Sequence, residues 1–304
     1  MGAIQQAQGG LGTTPVPITG VRRQVKRIQA VLNGRFLFSL IVLLLVLGFA
    51  FLGPILLGRD KPLVTVGGLY DSPSAEAWLG TDNFGRDVLT QLMYGTRTSL
   101  TIGVIAGAVA TLIGLLIGTV AGFRGGFLEE ILMAVTNVVI TIPSIVILIL
   151  LSIAIDNRSI VTMGIIIGIT SWPWTARAVR AQASSLRTRE HVDIARLSGA
   201  GTMSLIIWEI IPFMLSYIVM AFVLQLSSGI LQEAALSMLG LGPQGSSSIS
   251  LGIMLQWALL WESVRTGAWW AFVPPALLLT LIAFSLLLLQ SSIDEIFNPR
   301  LRRS

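Results

Sequence analysis

From Phe36 to Leu57 the chain runs without one charged residue, and five further apolar stretches follow, at about 98–123, 131–155, 160–180, 207–231 and 271–291. A helix of about 20 residues crosses the hydrocarbon core of a bilayer. Within lipid every backbone polar group must find its partner inside the protein, which leaves such a run little choice but a helix. The six runs therefore predict an all-α polytopic membrane protein with six transmembrane helices. Charged residues make up only 12% of the 304, about half the share usual in soluble domains. The first run is too long for a cleaved signal peptide and lacks a small-residue cleavage site, so it reads as a retained span.

The basic residues set the orientation. Arg22, Arg23, Lys26, Arg27 and Arg35 precede the first run, Arg124 follows the second, Arg177 to Arg196 contribute five, and Arg300, Arg302 and Arg303 close the chain. If these face the cytoplasm, only Arg59, Lys61, Arg86, Arg97, Arg158 and Arg265 lie opposite. The positive-inside rule then predicts both termini in the cytoplasm. Orientation accounts for the net charge of +5, so the expected surface partner is the lipid bilayer and no nucleic acid. With no cysteine and one histidine, neither a disulfide framework nor a metal site is expected. No glycine-rich phosphate loop with its lysine occurs, so the chain is expected to bind no ATP itself.

Residues 1–35 read as a cytoplasmic tail, 36–57 as the first span and 58–97 as an extracytoplasmic segment. The core, 98–291, then holds a cytoplasmic loop at 181–204 and an extracytoplasmic segment at 232–270, and residues 292–304 form a cytoplasmic tail. The second span carries Gly103, Gly107, Gly114, Gly118 and Gly122, a spacing that lets helix backbones approach closely. The third carries Asn137, Thr141, Pro143 and Ser144. Polar groups at that depth serve interhelical hydrogen bonds or line a solute route. From Leu205 to Gly242 the apolar stretch exceeds one span, and Gln225, Ser228, Gln232 and Glu233 gather towards its external end. A break in the fifth span is predicted there, with part of 232–265 folding back as short helices. Glu233 is then either an anchor for that segment or a solute or gating contact. Trp257, Trp261, Trp269 and Trp270 suit an interfacial aromatic belt, and would also suit sugar faces.

The stretch "REHVDIARLSGAGTMSLIIWEIIPF", 189–213, is too charged to span and too long for a plain connection. It predicts a short helix with Ala and Leu on one face and Arg, His and Asp on the other. A glycine then permits a bend. "DIARLSG" followed by Pro212 resembles the glutamate-alanine-alanine loop of binding-protein-dependent ABC importer permeases. Asp193, Ile194 and Ala195 occupy the three motif positions; Asp stands for Glu, Ile for Ala, and Glu209 takes the late isoleucine position. "GTDNFGRDVLTQLMYGTRTSL" (80–100), "GILQEAALSMLGLGPQ" (229–244) and "EIFNPRLR" (295–302) are similar to segments of C-type permeases of the dipeptide/oligopeptide/nickel family.

This resemblance implies a type I ABC importer permease core in a prokaryotic cytoplasmic membrane. It implies a heterodimer with a homologous B-type permease, two ATPase subunits that bring ATP and Mg, an extracytoplasmic solute-binding protein, and no catalysis by this chain. It makes residues 190–203 a coupling helix, with Arg187, Arg189, Glu190, His191, Asp193, Ala195 and Arg196 as contacts, Gly199 at the bend and Pro212 at the entry to the fifth span. Gly80, Thr81, Asp82, Gly85, Arg86 and Asp87 become an external signature. Di- and oligopeptides are the implied cargo, ahead of oligosaccharides and nickel complexes. A proton-coupled secondary transporter is the alternative of a different class. It would prefer a mid-membrane carboxylate or histidine, whereas Glu209, Glu233, Asp294 and Glu295 fall near predicted helix ends. A pure scaffold would need neither the charged loop nor the GTD–GRD element.

Overall fold

The computed structural model describes residues 34–59, 61–244 and 248–297. Arg22, Arg23, Lys26 and Arg27 of the basic cluster and the closing NPRLRRS lie outside the described residues. Nine helices of eight or more residues are described: α1 Gly34–Phe51, α2 Val88–Arg124, α3 Gly126–Thr141, α4 Ser144–Ala154, α5 Ile160–Leu186, α6 Glu190–Leu197, α7 Ile211–Met238, α8 Leu251–Leu260 and α9 Trp269–Phe297. A turn at Thr202–Ser204 and a π-helical stretch at Leu205–Ile210 lead without interruption into α7. Four described helices are long and apolar enough to cross a membrane: Gly34–Phe51, Val88–Arg124, Thr202–Met238 and Trp269–Glu295. The pair α3–α4, bent by 83°, makes a fifth if taken as one span. The expected run at 160–180 does form α5, but Thr170, Ser171, Thr175, Arg177 and Arg180 dilute it, so it does not join the apolar set.

One expectation about the spans is corrected. The fifth span does not break near Gln232, because α7 continues unbroken to Met238. A Cβ on Gly229 would lie 2.9 Å from that of Ala106, so this glycine is a packing notch against α2. Its helix cost of about 1 kcal/mol is offset by that close approach. The break falls instead in the third run, at Ile142 and Pro143, where Ile142 turns to extended backbone (ψ 124°). Proline cannot donate to the carbonyl four residues back and its ring collides with it. Helix α2 begins at Val88, ten residues ahead of the apolar run at 98–123, through the stretch whose pattern is already helical in the sequence. The fold-back within 232–265 is present as α8.

The glycines of α2 set the packing. Added Cβ atoms on Gly114, Gly118 and Gly122 would lie 2.6 Å from Thr175 Cβ, 2.5 Å from Ala176 O and 2.4 Å from Arg180 O. Gly164 and Gly168 of α5 meet Ile105 and Val109 of α2 in the same way. The partners advance in step, so α2 and α5 run parallel and α3–α4 must carry the chain back between them. Gly103 and Gly107 meet Ile230 and Leu226 in the opposite order, so α7 is antiparallel to α2. One apolar cluster joins Val46, Leu100, Ile230, Leu251 and Ile282 from α1, α2, α7, α8 and α9. A second, at the other end of α2, joins Phe123, Val179, Val192, Leu205 and Met214.

Candidate functional site

The charged stretch folds as α6 and is pinned to the second cluster by one residue. Val192 is buried among Phe123, Val179, Ala183, Leu186 and Met214, with Ala195 beside it. Glu190 and Asp193 stand in its first turn and Arg196 in its last, the distribution a helix dipole favours. The helix ends on a glycine C-cap: Gly199 (φ +87°) donates from its N–H to Arg196 O at 3.1 Å, and Ala200 N–H donates to Ala195 O at 3.1 Å. This pairing needs a left-handed residue just past the helix.

The expected amphipathic split is only partly observed. Ile194 and Leu197 are 64% and 89% exposed, so leucine faces outwards with Arg189, Glu190, Asp193 and Arg196 rather than inwards with alanine. Val192 occupies the inward position, and an eight-residue helix leaves Leu197 beyond the cluster's edge. Asp193 accepts a 2.9 Å ion pair from Arg196 at this exposed face. His191 turns inwards: its ring stacks on Phe213 at 4.3 Å between centroids and its Nε2 donates to Glu209 O at 3.3 Å. That carbonyl belongs to the π-helical stretch ahead of Pro212, whose missing N–H disturbs the ladder there. Arg187 Nη1 donates to Phe123 O at 3.3 Å, tying α5's end to α2.

No atom lies within 4 Å of a Cβ placed on Gly199, so only its backbone conformation resists substitution. Gly199→Val is expected to disfavour the cap by about 1–2 kcal/mol and to lower transport while the protein still inserts. Gly199→Asn, which tolerates φ > 0, is expected to retain most of it; transport normalised to membrane abundance measures both.

A cavity of about 390 Å³ opens where the α3–α4 bend meets α5 and α7. Ser144, Gln225, Ser228 and Gln232 of the expected pathway set line it, while Asn137, Thr141 and Glu233 do not. Thr141 Oγ1 donates back to Val138 O at 2.7 Å. Sequence reading missed Thr170, Ser171 and Trp174, which also line the cavity. Their signal was present: "TSWPW" sets two hydroxyls beside a proline within an apolar helix, as "TIPS" does. Gln225 Nε2 donates to Thr175 Oγ1 (2.7 Å) and Ser171 O (3.0 Å). Gln232 Nε2 donates to Ser228 Oγ (2.9 Å) and Ser171 Oγ (3.2 Å).

Glu233 points the other way, fully buried. It accepts from Ser99 Oγ of α2 at 2.8 Å and Ser237 Oγ at 2.6 Å. Ser99 Oγ in turn accepts from Leu251 N–H at 3.2 Å, and Ser250 caps α8 by accepting from Ile253 N–H at 3.1 Å. The carboxylate thus joins α2, α7 and the start of α8, which is the anchor arrangement.

The GTD–GRD element is a folded clamp at the α8 end. Asp82 accepts from Phe84 N–H, Arg86 N–H and Gln91 Nε2, each at 2.8 Å. Asp87 caps α2 through Thr90 N–H at 2.8 Å and pairs with Arg59. Thr81 Oγ1 donates to Gly68 O at 2.7 Å, and its carbonyl accepts from Trp270 Nε1 at 3.0 Å. The Arg86 guanidinium lies 4.2 Å from the Phe84 ring centroid and 5.2 Å from that of Trp257. Gly80 and Gly85 have φ of +69° and +72°, and a Cβ on Gly85 would sit 2.3 Å from Gly67 O. Gly85→Ala is therefore expected to open the clamp, read as faster proteolytic cleavage between residues 60 and 87.

Residues 114–303 match the model of the family described as binding-protein-dependent transport system inner membrane component. The dipeptide transport system permease protein DppC of Bacillus subtilis is 32% identical over 92% of this chain and 85% of its own length. The oligopeptide transport system permease protein OppC of the same organism is 30% identical over 89% of this chain and 87% of its own length. The di/tripeptide transport system permease protein DppC of Pseudomonas aeruginosa is 28% identical over 80% and 78%. With several apolar spans and these relatives, the chain belongs to the binding-protein-dependent ABC importer permeases of the dipeptide/oligopeptide type, as a C-type, non-catalytic, multi-pass subunit of the prokaryotic inner membrane.

Proposed function

We propose that the chain is half of the membrane pathway of an ATP-driven importer of di- and oligopeptides. A homologous B-type permease completes the pathway, two ATPase subunits supply ATP hydrolysis with Mg, and an extracytoplasmic binding protein delivers cargo. The names of the relatives support peptides as cargo. Two of the tryptophans that would suit sugar have structural duties: Trp270 bonds the clamp carbonyl and Trp257 flanks Arg86. In this reading α1, α2, α3–α4, α5, α7 and α9 make six crossings with both termini in the cytoplasm, which the distribution of basic residues supports.

The observation that carries the coupling role is the divided character of α6. Its outer face offers Ile194 and Leu197 between Arg189, Asp193 and Arg196, while Val192 fixes its inner face to α2, α5 and α7. An ATPase that grips the outer face and moves therefore moves three core helices together. Nucleotide binding draws the coupling helices of the two permeases towards each other and turns the pathway outwards, and hydrolysis resets it. Such a rigid-body change needs contacts that differ between the two states. Glu233 and the GTD–GRD clamp hold α8 to the moving core on the opposite side.

Proteoliposomes containing the chain with its partner subunits test this. ATP-dependent accumulation of a labelled tripeptide with binding protein outside is the expected result. Accumulation driven by a proton gradient without ATP would overturn it in favour of a secondary transporter.

A further inference from the structure

The cavity at the α3–α4 bend has a chemistry that neither its location nor its relatives specify. Val139, Ile140, Ile142, Pro143, Ile147 and Leu224 give it an apolar floor, and its polar lining consists of hydroxyls, carboxamides and the indole of Trp174, all uncharged. No ionisable side chain lines it among the described residues. The polar groups are positioned by one another. Gln232 spends both amide hydrogens on Ser228 and Ser171, and Gln225 spends its own on Thr175 and the Ser171 carbonyl. Gln225 Oε1 then remains an open acceptor. Ser228, whose oxygen receives the Gln232 amide, retains its hydroxyl hydrogen, and Ser144 contributes a hydroxyl at the bend.

An acceptor and hydroxyl donors without charge match the N–H and C=O of an amide. We propose that this cavity takes the peptide main chain through neutral hydrogen bonds and does not distinguish peptides by side-chain charge. The inference rests on the peptide-import reading above and adds how this half of the pathway treats its cargo. A fixed charge of either sign in so apolar a pocket would attract one class of peptide and repel another. A neutral lining lets acidic, neutral and basic peptides pass the same surface, and the apolar floor keeps each contact weak enough to release.

The test places a charge there. Complexes in proteoliposomes, supplied with saturating binding protein and internal or external ATP as orientation requires, import labelled Ala-Ala-Ala, Ala-Glu-Ala or Ala-Lys-Ala. Each peptide's rate in a variant is divided by its rate in the wild type, which cancels the preferences of the binding protein and the other permease. Gln232→Glu, close to isosteric, is expected to lower Ala-Glu-Ala at least tenfold relative to Ala-Ala-Ala while sparing Ala-Lys-Ala. Ser144→Asp, whose hydroxyl makes no described hydrogen bond, is expected to repeat the pattern should Gln232→Glu fail to assemble. Equal ratios for all three peptides in an assembled, transporting variant would overturn the inference while leaving peptide import standing. Absence of ATP-driven uptake of every peptide by the wild type would instead overturn the import reading, and this inference with it.

Discussion

Gly122→Leu is expected to abolish the folded protein, whereas Gly48→Leu is expected to leave it intact. Both glycines lie in apolar helices, and a hydropathy reading treats them alike. A Cβ on Gly122 would meet Arg180 O at 2.4 Å, with Ala183 Cβ at 2.9 Å and Ser184 N at 3.0 Å, while nothing lies within 4 Å of one on Gly48. Backbone atoms of α5 cannot turn aside as a flexible side chain can, so α2 and α5 must separate. Overpacking commonly costs about 1–3 kcal/mol, and here it acts within the most extensive helix–helix contact of the fold. Gly118, 2.5 Å from Ala176 O, should behave likewise. Membrane abundance and protease resistance after mild solubilisation measure the difference; a stable Gly122→Leu protein would show that α2 and α5 do not pack this closely.

The second large effect is expected at Glu233. Glu233→Leu removes the acceptor of two buried hydroxyls, and each unsatisfied group costs about 1–3 kcal/mol. The loss extends beyond the pair because Ser99 also holds the Leu251 N–H at the start of α8. Glu233→Gln keeps an acceptor for one serine and offers a donor to the other, so it should retain at least half of the stability lost by the leucine variant. Proteolysis between Leu239 and Ser250 and thermal unfolding in detergent measure both. A leucine variant with native stability and native transport would remove Glu233 from any anchoring role.

These residues also show how far the sequence could be read. The spans, the charged helix α6 and the bend at Gly199 follow from apolar length, charge placement and one glycine past a helix end. The wrong break in the fifth span has a specific cause: Gly229 is either a hinge or a notch, and only Ala106 on another helix decides which. Pro143 signals a bend more plainly, but beside Thr141 and Ser144 it reads as part of a polar group serving interhelical hydrogen bonds or a solute route. Helical periodicity puts leucine on one face with alanine, but Leu197 lies with Asp193 and Arg196 on the exposed face, because α6 is too short for its final residue to reach the cluster. Four of the cavity's six hydroxyl and carboxamide residues were legible, since Ser144, Gln225, Ser228 and Gln232 are polar within apolar runs. Asn137 carried the same signal on the wrong side of α3. Its direction depends on where α3 lies against α5, and no local pattern encodes that.

If α6 transmits ATPase motion to the core, its outer face touches an ATPase subunit and its inner face does not, and single cysteines distinguish the two. The chain has no cysteine of its own, so Leu197→Cys on the exposed face and Val192→Cys on the buried face each give a unique thiol. In membranes containing the whole complex, a short bifunctional reagent is expected to join Leu197→Cys to an ATPase subunit, with a yield that changes when nucleotide is added. Val192→Cys should give no such product. Leu197→Cys that reacts only with reagents confined to the external face, or that forms no ATPase adduct in a complex still competent for uptake, would contradict the account.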